Sequence, residues 1–497
     1  MTENNFMETI VFFSRCELVN LYGRISKLLP QEYKILHIAY SDKEEEVLKD
    51  KYSVKAVINF QKEIRKILNG ERYEPDLCNN IDKLIIEQSE DRFNLNGAIQ
   101  YDRTFQNMSY QQCLILTQAY YKFWYQLINC HKVTYLIHEM VSLFFNQIAA
   151  LICKGLSASY ITHIQVYGEN ENNFLIVSGH DGSSEELMLN MELDKLSIDQ
   201  KCRVDDFLIQ FRSDSKTFFN KYSQNNTFLT TIISSFKIGL ISLRNKVFLS
   251  FKGLKYPADH LKIYLLKELS LFQELKKKWG LFFLRYDKYD KELNYYYYPL
   301  HLEPEAVVLY WGDGIYKNQV KLIENIAAQL PPNCYLFVKD HPHANAYRDI
   351  EDYMKIKRIP NVKLLDPNIS GKYIINNSIG VITINGTSGF EAILLNKQIY
   401  TFGNTFYNSC KRVKYIKNVR DLKHELYSNI NKSYSDDDDL YNFVYGFLES
   451  THKGFTDYFL NYAKLLNIDE EKNSETVVSE FIKYFERCRA DKNNPNS

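Results

Sequence analysis

Two short segments in the last third of the chain combine residue types that bind phosphate groups. In the first, Lys339, Asp340 and His341 follow residues 334–338, an apolar run with the length and β-rich content of a buried strand. The three side chains would therefore emerge at the carboxyl end of that strand. A lysine supplies positive charge there, and a histidine is a titratable proton donor.

The second segment is a glycine-flanked pair of hydroxyl residues at a predicted helix start. Residues 380–384 read as a strand, and the chain then turns through Gly386, Thr387, Ser388 and Gly389 into a helix. Hydroxyls and free backbone N–H groups at the positive end of a helix dipole form an anion site. Ligands of open α/β sheets bind outside the carboxyl ends of the strands, so both segments face one crevice if their strands share a parallel sheet.

Glu391 lies one helical turn inside this second segment, where its carboxylate could accept hydrogen bonds from ribose hydroxyls. The two segments together predict nucleotide recognition. Each alone has a simpler interpretation, since a His-Pro pair is often only a loop turn and a Gly-Thr-Ser-Gly stretch is often an ordinary capped helix start. Their order, on strands that alternate with helices, favours the functional interpretation.

The amino-terminal part of the chain shows the same alternation. Strand patterns at residues 9–13, 33–39 and 133–137 are separated by helical patterns, which predicts a doubly wound parallel sheet. The loop after the first strand has no Gly-x-Gly-x-x-Gly, so dinucleotide binding is not expected there.

Two carboxylates of this part stand at predicted strand ends. Asp102 ends a possible strand over residues 98–103, and Glu139 follows the strand 133–137. A carboxylate at such a position can act as a general base towards a hydroxyl or, in a double displacement, as a nucleophile. These two residues are the candidates for that role. The alternatives are a surface ion pair for Asp102 and a helix cap for Glu139.

Composition indicates an ordinary globular protein of several domains. The 497 residues include 61 Lys and Arg against 61 Asp and Glu, so no overall field attracts nucleic acid. Nine dispersed cysteines without a CxxC pair favour reduced thiols over a disulfide framework or a zinc site. The acidic run 436–439 is interpreted as a helix cap, so no metal site is predicted.

No targeting or membrane-spanning segment is expected. The amino terminus lacks the pattern of a signal peptide, and the most apolar helix candidate, residues 141–156, falls short of a bilayer span. A cytoplasmic location follows, with peripheral contact at the inner face of the membrane, or with export machinery, left open.

Several stretches together resemble one family. They are Pro299-Leu300-His301, the run through His341 and Pro342, the run through Glu391, and Tyr400-Thr401-Phe402-Gly403. This part resembles the capsule polysaccharide biosynthesis family, which includes bacterial Kdo transferases. The resemblance covers roughly the last third of the chain and fades towards the amino terminus.

The resemblance implies an α/β fold of the GT-B type, with two Rossmann-like domains facing a central crevice, a helical insertion and a helical carboxyl terminus. The expected regions are 1–185 on the acceptor side, a mainly helical connection 186–293, a nucleotide-sugar-binding domain 294–430, and terminal helices 431–497.

The resemblance also assigns roles within the nucleotide-sugar-binding domain. His341 would contact the donor phosphate and act as an acid, with Pro342 fixing the turn. Lys339 and His301 would be donor-side ligands. Asp340 stands where the family more often has Glu, which keeps the charge but shortens the reach. The phosphate loop is Gly386, Thr387, Ser388 and Gly389, and Glu391 lies on the helix that follows it.

The function predicted from these features is that of a metal-independent glycosyltransferase. It would move a sugar from a nucleotide-activated donor, preferably a CMP-sugar such as CMP-Kdo, to a capsule or other cell-surface polysaccharide or glycolipid. The nucleotide sugar serves as co-substrate, and no cofactor is expected. Two alternatives stay open: a glycerophosphotransferase with a CDP-glycerol-type donor, and a non-catalytic adaptor of glycan assembly or export.

Overall fold

The structure is a computed structural model. It describes residues 7–90, 92–105, 108–169, 172–191, 195–214, 284–303, 307–312, 314–340, 348–429, 437–458 and 462–492. His341, Pro342 and most of the predicted helical connection 186–293 lie outside the described residues.

The chain divides into two compact units. The first comprises Met1–Ala98, Met108–Glu186 and Leu448–Ser497, and the second comprises Ile99–Asn107 and Leu187–Phe447. The chain passes to the second unit at Ile99, returns to the first at Met108, and passes again at Leu187 and back at Leu448. The last 50 residues therefore belong to the first unit.

The first unit is built on a seven-stranded sheet of β1 Thr9–Ser14, β2 Lys34–Ala39, β3 Val57–Asn59, β4 Val133–Ile137, β5 Ser159–Val166, β6 Asn173–Ser178 and β13 His452–Lys453. The strand order is β13-β6-β5-β4-β1-β2-β3. Strands β3, β2, β1, β4 and β5 run parallel, β6 is antiparallel to β5, and β13 is antiparallel to β6.

Helices cover this sheet, and β1, which lies between β4 and β2, contains the apolar run of residues 10–13. All six residues of β1 are buried, as expected for a parallel strand packed on both faces. Side chains cap several helix starts: the Asn59 side chain accepts a hydrogen bond from the Lys62 N–H at 3.0 Å, and Ser109 forms a capping box with Gln112. The helices are Leu18–Leu28, Asp42–Glu46, Phe60–Gly70, Pro75–Gln88, Tyr110–His131, Phe144–Gly155, Tyr462–Leu465 and Glu470–Lys492, with a π-helical turn at Val47–Lys51. The helices Leu95–Tyr101 and Glu185–Asn190 span points at which the chain passes from the first unit to the second.

The second unit is built on a six-stranded, all-parallel sheet with the order β12-β11-β10-β7-β8-β9. Its strands are β7 Tyr295–Pro299, β8 Tyr335–Lys339, β9 Val362–Leu365, β10 Gly380–Thr383, β11 Gln398–Thr401 and β12 Val413–Tyr415. Its helices are Ile198–Ser213, Gln319–Gln329, Ile350–Lys357, Gly371–Asn376, Thr387–Leu394, Leu422–Asn429 and Asp438–Glu449, with a π-helical turn at Val307–Trp311 and a 3₁₀ turn at Phe406–Ser409.

A run of four tyrosines forms the centre of this second sheet. Tyr296 and Tyr298 pack into the hydrophobic core on one face. On the other face the Tyr295 ring stacks on Phe337 with centroids 4.0 Å apart, and its hydroxyl donates to the Ile374 carbonyl at 2.8 Å. The Tyr298 hydroxyl donates to Gln319 Oε1 at 3.3 Å, so these large rings fill core positions while their buried hydroxyls find partners.

One local prediction is wrong. Residues 98–103 do not form a strand, because the helix Leu95–Tyr101 occupies most of this stretch. The run is too short for periodicity to separate strand from helix.

Candidate functional site

The strand order of the second sheet changes direction at one point. From there β7, β8 and β9 follow one another towards one edge of the sheet, and β10, β11 and β12 follow one another towards the other edge. This is the Rossmann strand order, with its switch point between β7 and β10. In sheets of this order the ligand crevice lies where these two strands end, and the described residues of the predicted site lie at the ends of β7, β8 and β10.

His301 lies just beyond the end of β7. Its Nε2 lies 3.1 Å from Thr383 Oγ1, and that hydroxyl donates to the Asn385 carbonyl at 2.8 Å. Since the hydroxyl hydrogen is already used, Nε2 of His301 is the donor in the first bond. Gln319 holds the His301 backbone on both sides, accepting from its N–H at 2.8 Å and donating to its carbonyl at 2.9 Å.

The loop after β10 is shaped by its two glycines. Gly386 has φ +126°, which a side chain rarely tolerates, and a Cβ there would lie 3.3 Å from His301 Cε1. A Cβ on Gly389 would lie 2.4 Å from the Tyr407 hydroxyl, which donates to the Gly386 carbonyl at 2.7 Å. Asn385 also accepts from the Gly386 N–H. The glycines therefore let the loop pass close to both rings.

Thr387 and Ser388 open the helix Thr387–Leu394 with unused donors. Gly386 provides no side-chain cap for this helix, and within the described part of the chain neither hydroxyl has a hydrogen-bond partner. The Thr387 side chain is exposed and that of Ser388 half-buried. Two hydroxyls and the first N–H groups of the helix are therefore available as donors, and anion binding by them stays a prediction.

Lys339 and Asp340 end β8, but both are buried. Lys339 Nζ lies 3.3 Å from the Pro367 carbonyl and 3.4 Å from that of Asp340. Burial lowers the pKa of Lys339, against the opposing effect of nearby carboxylates. Asp340 accepts from the Tyr353 hydroxyl. The ammonium of Lys339 is therefore held by these two carbonyls. It contributes a positive charge to the site from a buried position.

Glu391 is a buried carboxyl group facing two buried lysines. Burial raises the pKa of Glu391 to about 7, although the charges of Lys372 and Lys339 act to lower it. Lys372 itself is held by the Phe211 and Asp214 carbonyls at the end of the helix Ile198–Ser213. A carboxyl group that titrates near neutrality beside an anion site is a frequent feature of functional sites.

Arg348 is a component of the site that the sequence did not indicate. Its guanidinium donates to Glu303 at 2.7 Å and to the His301 carbonyl at 3.0 Å, and its Nε lies 3.7 Å from Asp340. It therefore fixes the ends of β7 and β8 relative to each other. No local motif indicates such a role, because Glu303 and His301 lie 45 and 47 positions from Arg348 in the chain.

The sheet of the first unit has its own switch point between β1 and β4, and Glu139 follows β4 there. Glu139 forms a buried ion pair with Arg15, accepts from the Ser142 hydroxyl at 2.9 Å, and lies 3.8 Å from His138 Nε2. Burial acts to raise the pKa of Glu139, but Arg15 and the other neighbours lower it overall. The group is therefore an ionised carboxylate near neutral pH.

Asp102 occupies a different place from the one expected. It belongs to the second unit and is fully buried. The Tyr310 hydroxyl donates to its carboxylate at 2.6 Å, and the N–H and hydroxyl of Thr104 donate to its other oxygen. The predicted position on the acceptor-side domain is wrong, and these contacts make Asp102 a structural group that anchors the π-helical turn.

The described residues also bear on metal binding and membrane insertion. Among them, no group of three or more His, Cys, Asp or Glu side chains is placed to hold a metal ion. Within the same part of the chain, no helix combines the length and apolarity needed to cross a membrane. Asp437 accepts from the Leu440 N–H at 3.0 Å, so the described end of the acidic run 436–439 is a helix cap.

The fold and the site define a class: an α/β protein with two Rossmann-like units, as predicted, and a helix start at the switch point of the second unit whose hydroxyls have no partner among the described residues. Residues 210–411 match the family model described as Capsule polysaccharide biosynthesis protein. This match contains the switch point and confirms the family resemblance for that part of the chain.

Other comparisons give more distant similarities. Protein FixF of Sinorhizobium fredii is 35% identical over 98 residues, which is 20% of this chain and 23% of that relative. KpsC of Thermosulfurimonas dismutans, a beta Kdo 2,4 transferase, is 12% identical with a TM-score of 0.36, over 65% of this chain and 82% of that one. UDP-GlcNAc 2-epimerase of Methanocaldococcus jannaschii, in complex with UDP-GlcNAc and UDP, is 12% identical with a TM-score of 0.28, over 88% and 96%.

Proposed function

We propose that this chain is a glycosyltransferase that moves a sugar from a nucleotide-activated donor to a capsule or other cell-surface polysaccharide or glycolipid. The observation that carries the proposal is the helix start at Thr387 and Ser388, whose free donors lie at the switch point of a Rossmann-ordered sheet. The family match over residues 210–411 supports the same reaction class.

The donor phosphate would bind at this helix start. The hydroxyls of Thr387 and Ser388 and the first N–H groups of the helix would donate to its oxygens. Negative charge builds on the departing phosphate as the glycosidic bond breaks, and donors fixed before the reaction stabilise that charge most effectively. Lys339 adds a positive field from beneath, and His341, by family resemblance, would contact the phosphate and act as an acid.

The nucleoside would extend along the helix towards Glu391. As a carboxylate, Glu391 would accept hydrogen bonds from the ribose hydroxyls, and bound hydroxyls would favour its ionised form. His301, fixed by Gln319 and Thr383, would line the same edge. The preferred donor is a CMP-sugar such as CMP-Kdo. All the phosphate contacts in this proposal come from protein groups, so it invokes no metal ion.

The acceptor-side chemistry would fall to the first unit. Glu139 is ionised and held at the switch point of that sheet, so it is the described carboxylate suited to act as a nucleophile or to accept the proton of an acceptor hydroxyl. Its lowered pKa makes it a weak base, which favours the nucleophile role. A cell-surface acceptor would place the enzyme in the cytoplasm, at the inner face of the membrane.

Ligand-dependent thermal unfolding tests the donor assignment. A nucleotide that binds only the folded protein raises its melting temperature, so CMP, CDP, UDP, GDP and their sugar conjugates form the panel. We expect CMP and CMP-Kdo to give the largest rise. Ser388→Ala and Thr387→Ala should each weaken binding by roughly 10- to 100-fold, because a hydrogen bond to a charged group contributes about 1.5–3 kcal/mol.

Ser109→Ala is the matched control. Ser109 also starts a helix and receives the Gln112 N–H at 3.3 Å, but it lies in the first unit. Its loss should lower stability by about 1 kcal/mol and leave the nucleotide-induced shift intact. Stabilisation by UDP or GDP alone would overturn the CMP assignment, and no stabilisation by any nucleotide would favour the adaptor. Transfer of phosphorus to the acceptor would identify a glycerophosphotransferase.

A further inference from the structure

The switch point of the first sheet contains a second polar centre, at Arg15. This residue follows β1, and Glu139 follows the neighbouring β4, so both side chains belong to the edge where Rossmann-like sheets bind ligands. The centre belongs to the first unit, whereas the predicted phosphate loop belongs to the second.

The Arg15 guanidinium is held in place on two sides. Its Nη1 donates to Glu139, and the rings of Tyr40 and Phe145 lie 5.4 Å and 5.8 Å from its central carbon. Glu139 is fixed in turn by the Ser142 hydroxyl at 2.9 Å. A guanidinium fixed in this way loses little side-chain freedom when it binds a ligand.

Most of the hydrogen-bonding capacity of this guanidinium is unused. A guanidinium has five N–H donors, and among the described residues only Nη1 of Arg15 has a hydrogen-bond partner. None of its nitrogens is sealed from solvent without a partner, and the side chain is 16% exposed. The edge formed by Nε and Nη2 can therefore receive an incoming group.

One further polar atom lies close to the pair. His138 Nε2 lies 3.8 Å from Glu139 Oε1 and has no hydrogen-bond partner among the described residues, whereas His138 Nδ1 donates to the Phe13 carbonyl at 2.8 Å. Because Nε2 is buried and the Arg15 side chain is partly exposed, the free edge of the guanidinium is the part of this centre that a ligand can reach.

We propose that the Arg15–Glu139 pair is a subsite for an acidic sugar. Arg15 binds the carboxylate of the sugar, and Glu139 accepts a hydrogen bond from a hydroxyl of the same sugar. The planar fork of the guanidinium matches a carboxylate in two parallel hydrogen bonds. The ionised carboxylate of Glu139 repels a second anion, but it can accept a hydrogen bond from a hydroxyl. A sugar acid supplies both groups. The inference rests on the proposed function, for which it names the acceptor class.

Cys16 offers a direct readout of occupancy. It is exposed and adjoins Arg15, whereas Cys130 is exposed near the opposite edge of the same sheet, just before β4 begins. We expect D-glucuronate or Kdo to slow alkylation of Cys16 by N-ethylmaleimide at least fivefold, measured by peptide mass spectrometry, with Cys130 unaffected. D-Glucose and acetate should give no protection, because each lacks one of the two required groups.

Arg15→Gln should abolish protection by the sugar acids, and Arg15→Lys, which keeps the charge but loses the fork, should reduce it at least fivefold. The matched control is Arg489→Gln, since Arg489 also pairs with a carboxylate, Glu8, and lies over a ring, that of Tyr33. That variant should keep full protection. Equal protection by D-glucose in the wild-type protein, or full protection in Arg15→Gln, would overturn the subsite.

The nucleotide panel separates this outcome from that of the proposed function. Thermal stabilisation by nucleotides reports on the second unit, and Cys16 protection reports on the first. Protection without any nucleotide binding would overturn the transferase and retain the acidic-sugar subsite. Nucleotide binding without protection would overturn the subsite and retain the transferase.

Discussion

His301 and Thr383 are joined by a 3.1 Å hydrogen bond across the switch point of the second sheet. Because the Thr383 hydroxyl donates onward to the Asn385 carbonyl, the imidazole donates through Nε2. The bond connects the end of β7 with the loop that follows β10. It thereby fixes the position of the proposed phosphate loop relative to the histidine.

Thr383→Val tests this connection. The variant keeps the side-chain shape but removes the hydroxyl, so His301 Nε2 and the Asn385 carbonyl lose their partner, which costs about 1–3 kcal/mol of stability. We expect nucleotide affinity to fall as well, since the loop and the histidine are no longer joined. Urea unfolding and nucleotide titration measure the two effects.

Thr401→Val is the control for that variant. Thr401 pairs with Thr383 in the register of β10 and β11, is fully buried, and donates to Asn408 at 3.1 Å. Its replacement should cost similar stability without loss of nucleotide affinity. Equal losses of affinity in both variants would show that His301 and its bond have no particular role in the site.

Glu391→Gln tests the buried carboxyl group. With the pKa raised from 4.5 to about 7, the folded protein binds this proton more readily than the unfolded chain does. Stability should therefore fall as pH rises from 4.5 to 7, by roughly 3 kcal/mol, and stay level above. The variant should lack that slope in urea unfolding between pH 5 and 8.

The nucleotide affinity of the same variant gives a second test. If Glu391 accepts from ribose hydroxyls, the loss of affinity should be larger at pH 8, where the wild-type group is ionised, than at pH 5.5. Glu324→Gln is the control, because Glu324 is an exposed carboxylate paired with Lys321 on another helix of the same unit. An unchanged pH slope in Glu391→Gln would contradict the assignment.

The sequence predicted those strands in which consecutive residues are buried. Strands β1, β4, β8 and β10 are continuous apolar runs, since a parallel sheet covered on both faces leaves them no exposed side. The phosphate-loop helix was also predictable, because its glycines and hydroxyls are adjacent in the chain. Local residue types were sufficient in both cases.

The rest depends on contacts between distant residues. Asp102 is held by Tyr310, 208 positions away, which no local pattern could indicate. Lys372 becomes part of the site only because the helix Ile198–Ser213 ends against it. Phe481 and Phe485 look like the apolar face of any terminal helix, yet they complete the core of the first unit.

His452→Gln tests a charged cluster in the first unit. Burial acts to lower the pKa of His452, but hydrogen bonds to Glu186 at 2.8 Å and Glu480 at 3.2 Å outweigh it and raise that pKa. Arg487 and Lys483 pair with the same carboxylates. Protonated His452 therefore adds stability below about pH 6.5, which is lost as pH rises through its raised pKa. The variant should lose part of the stability difference between pH 6 and 9.

His37→Gln provides the contrast, because burial lowers the pKa of His37 to about 3. Between pH 3 and about 6.5 the unfolded chain binds this proton and the folded protein does not, so the contribution of His37 to stability rises with pH. Its replacement should flatten the acid limb and leave the range above pH 7 unchanged. The same pH dependence in both variants would contradict the assigned environments.

Gly386→Ala and Gly389→Ala test whether the close approach of the loop to its neighbours matters for binding. A Cβ at Gly389 would lie 2.4 Å from the Tyr407 hydroxyl, and Gly386 adopts φ +126° beside His301. The first change should displace Tyr407 and the second should strain the backbone by about 1–3 kcal/mol. Each should therefore lower nucleotide affinity at least tenfold, measured by titration.

Gly70→Ala is the control, since nothing lies within 4 Å of its Cβ position, and it should bind nucleotide normally. Unchanged affinity in both loop variants would show that the ligand binds elsewhere.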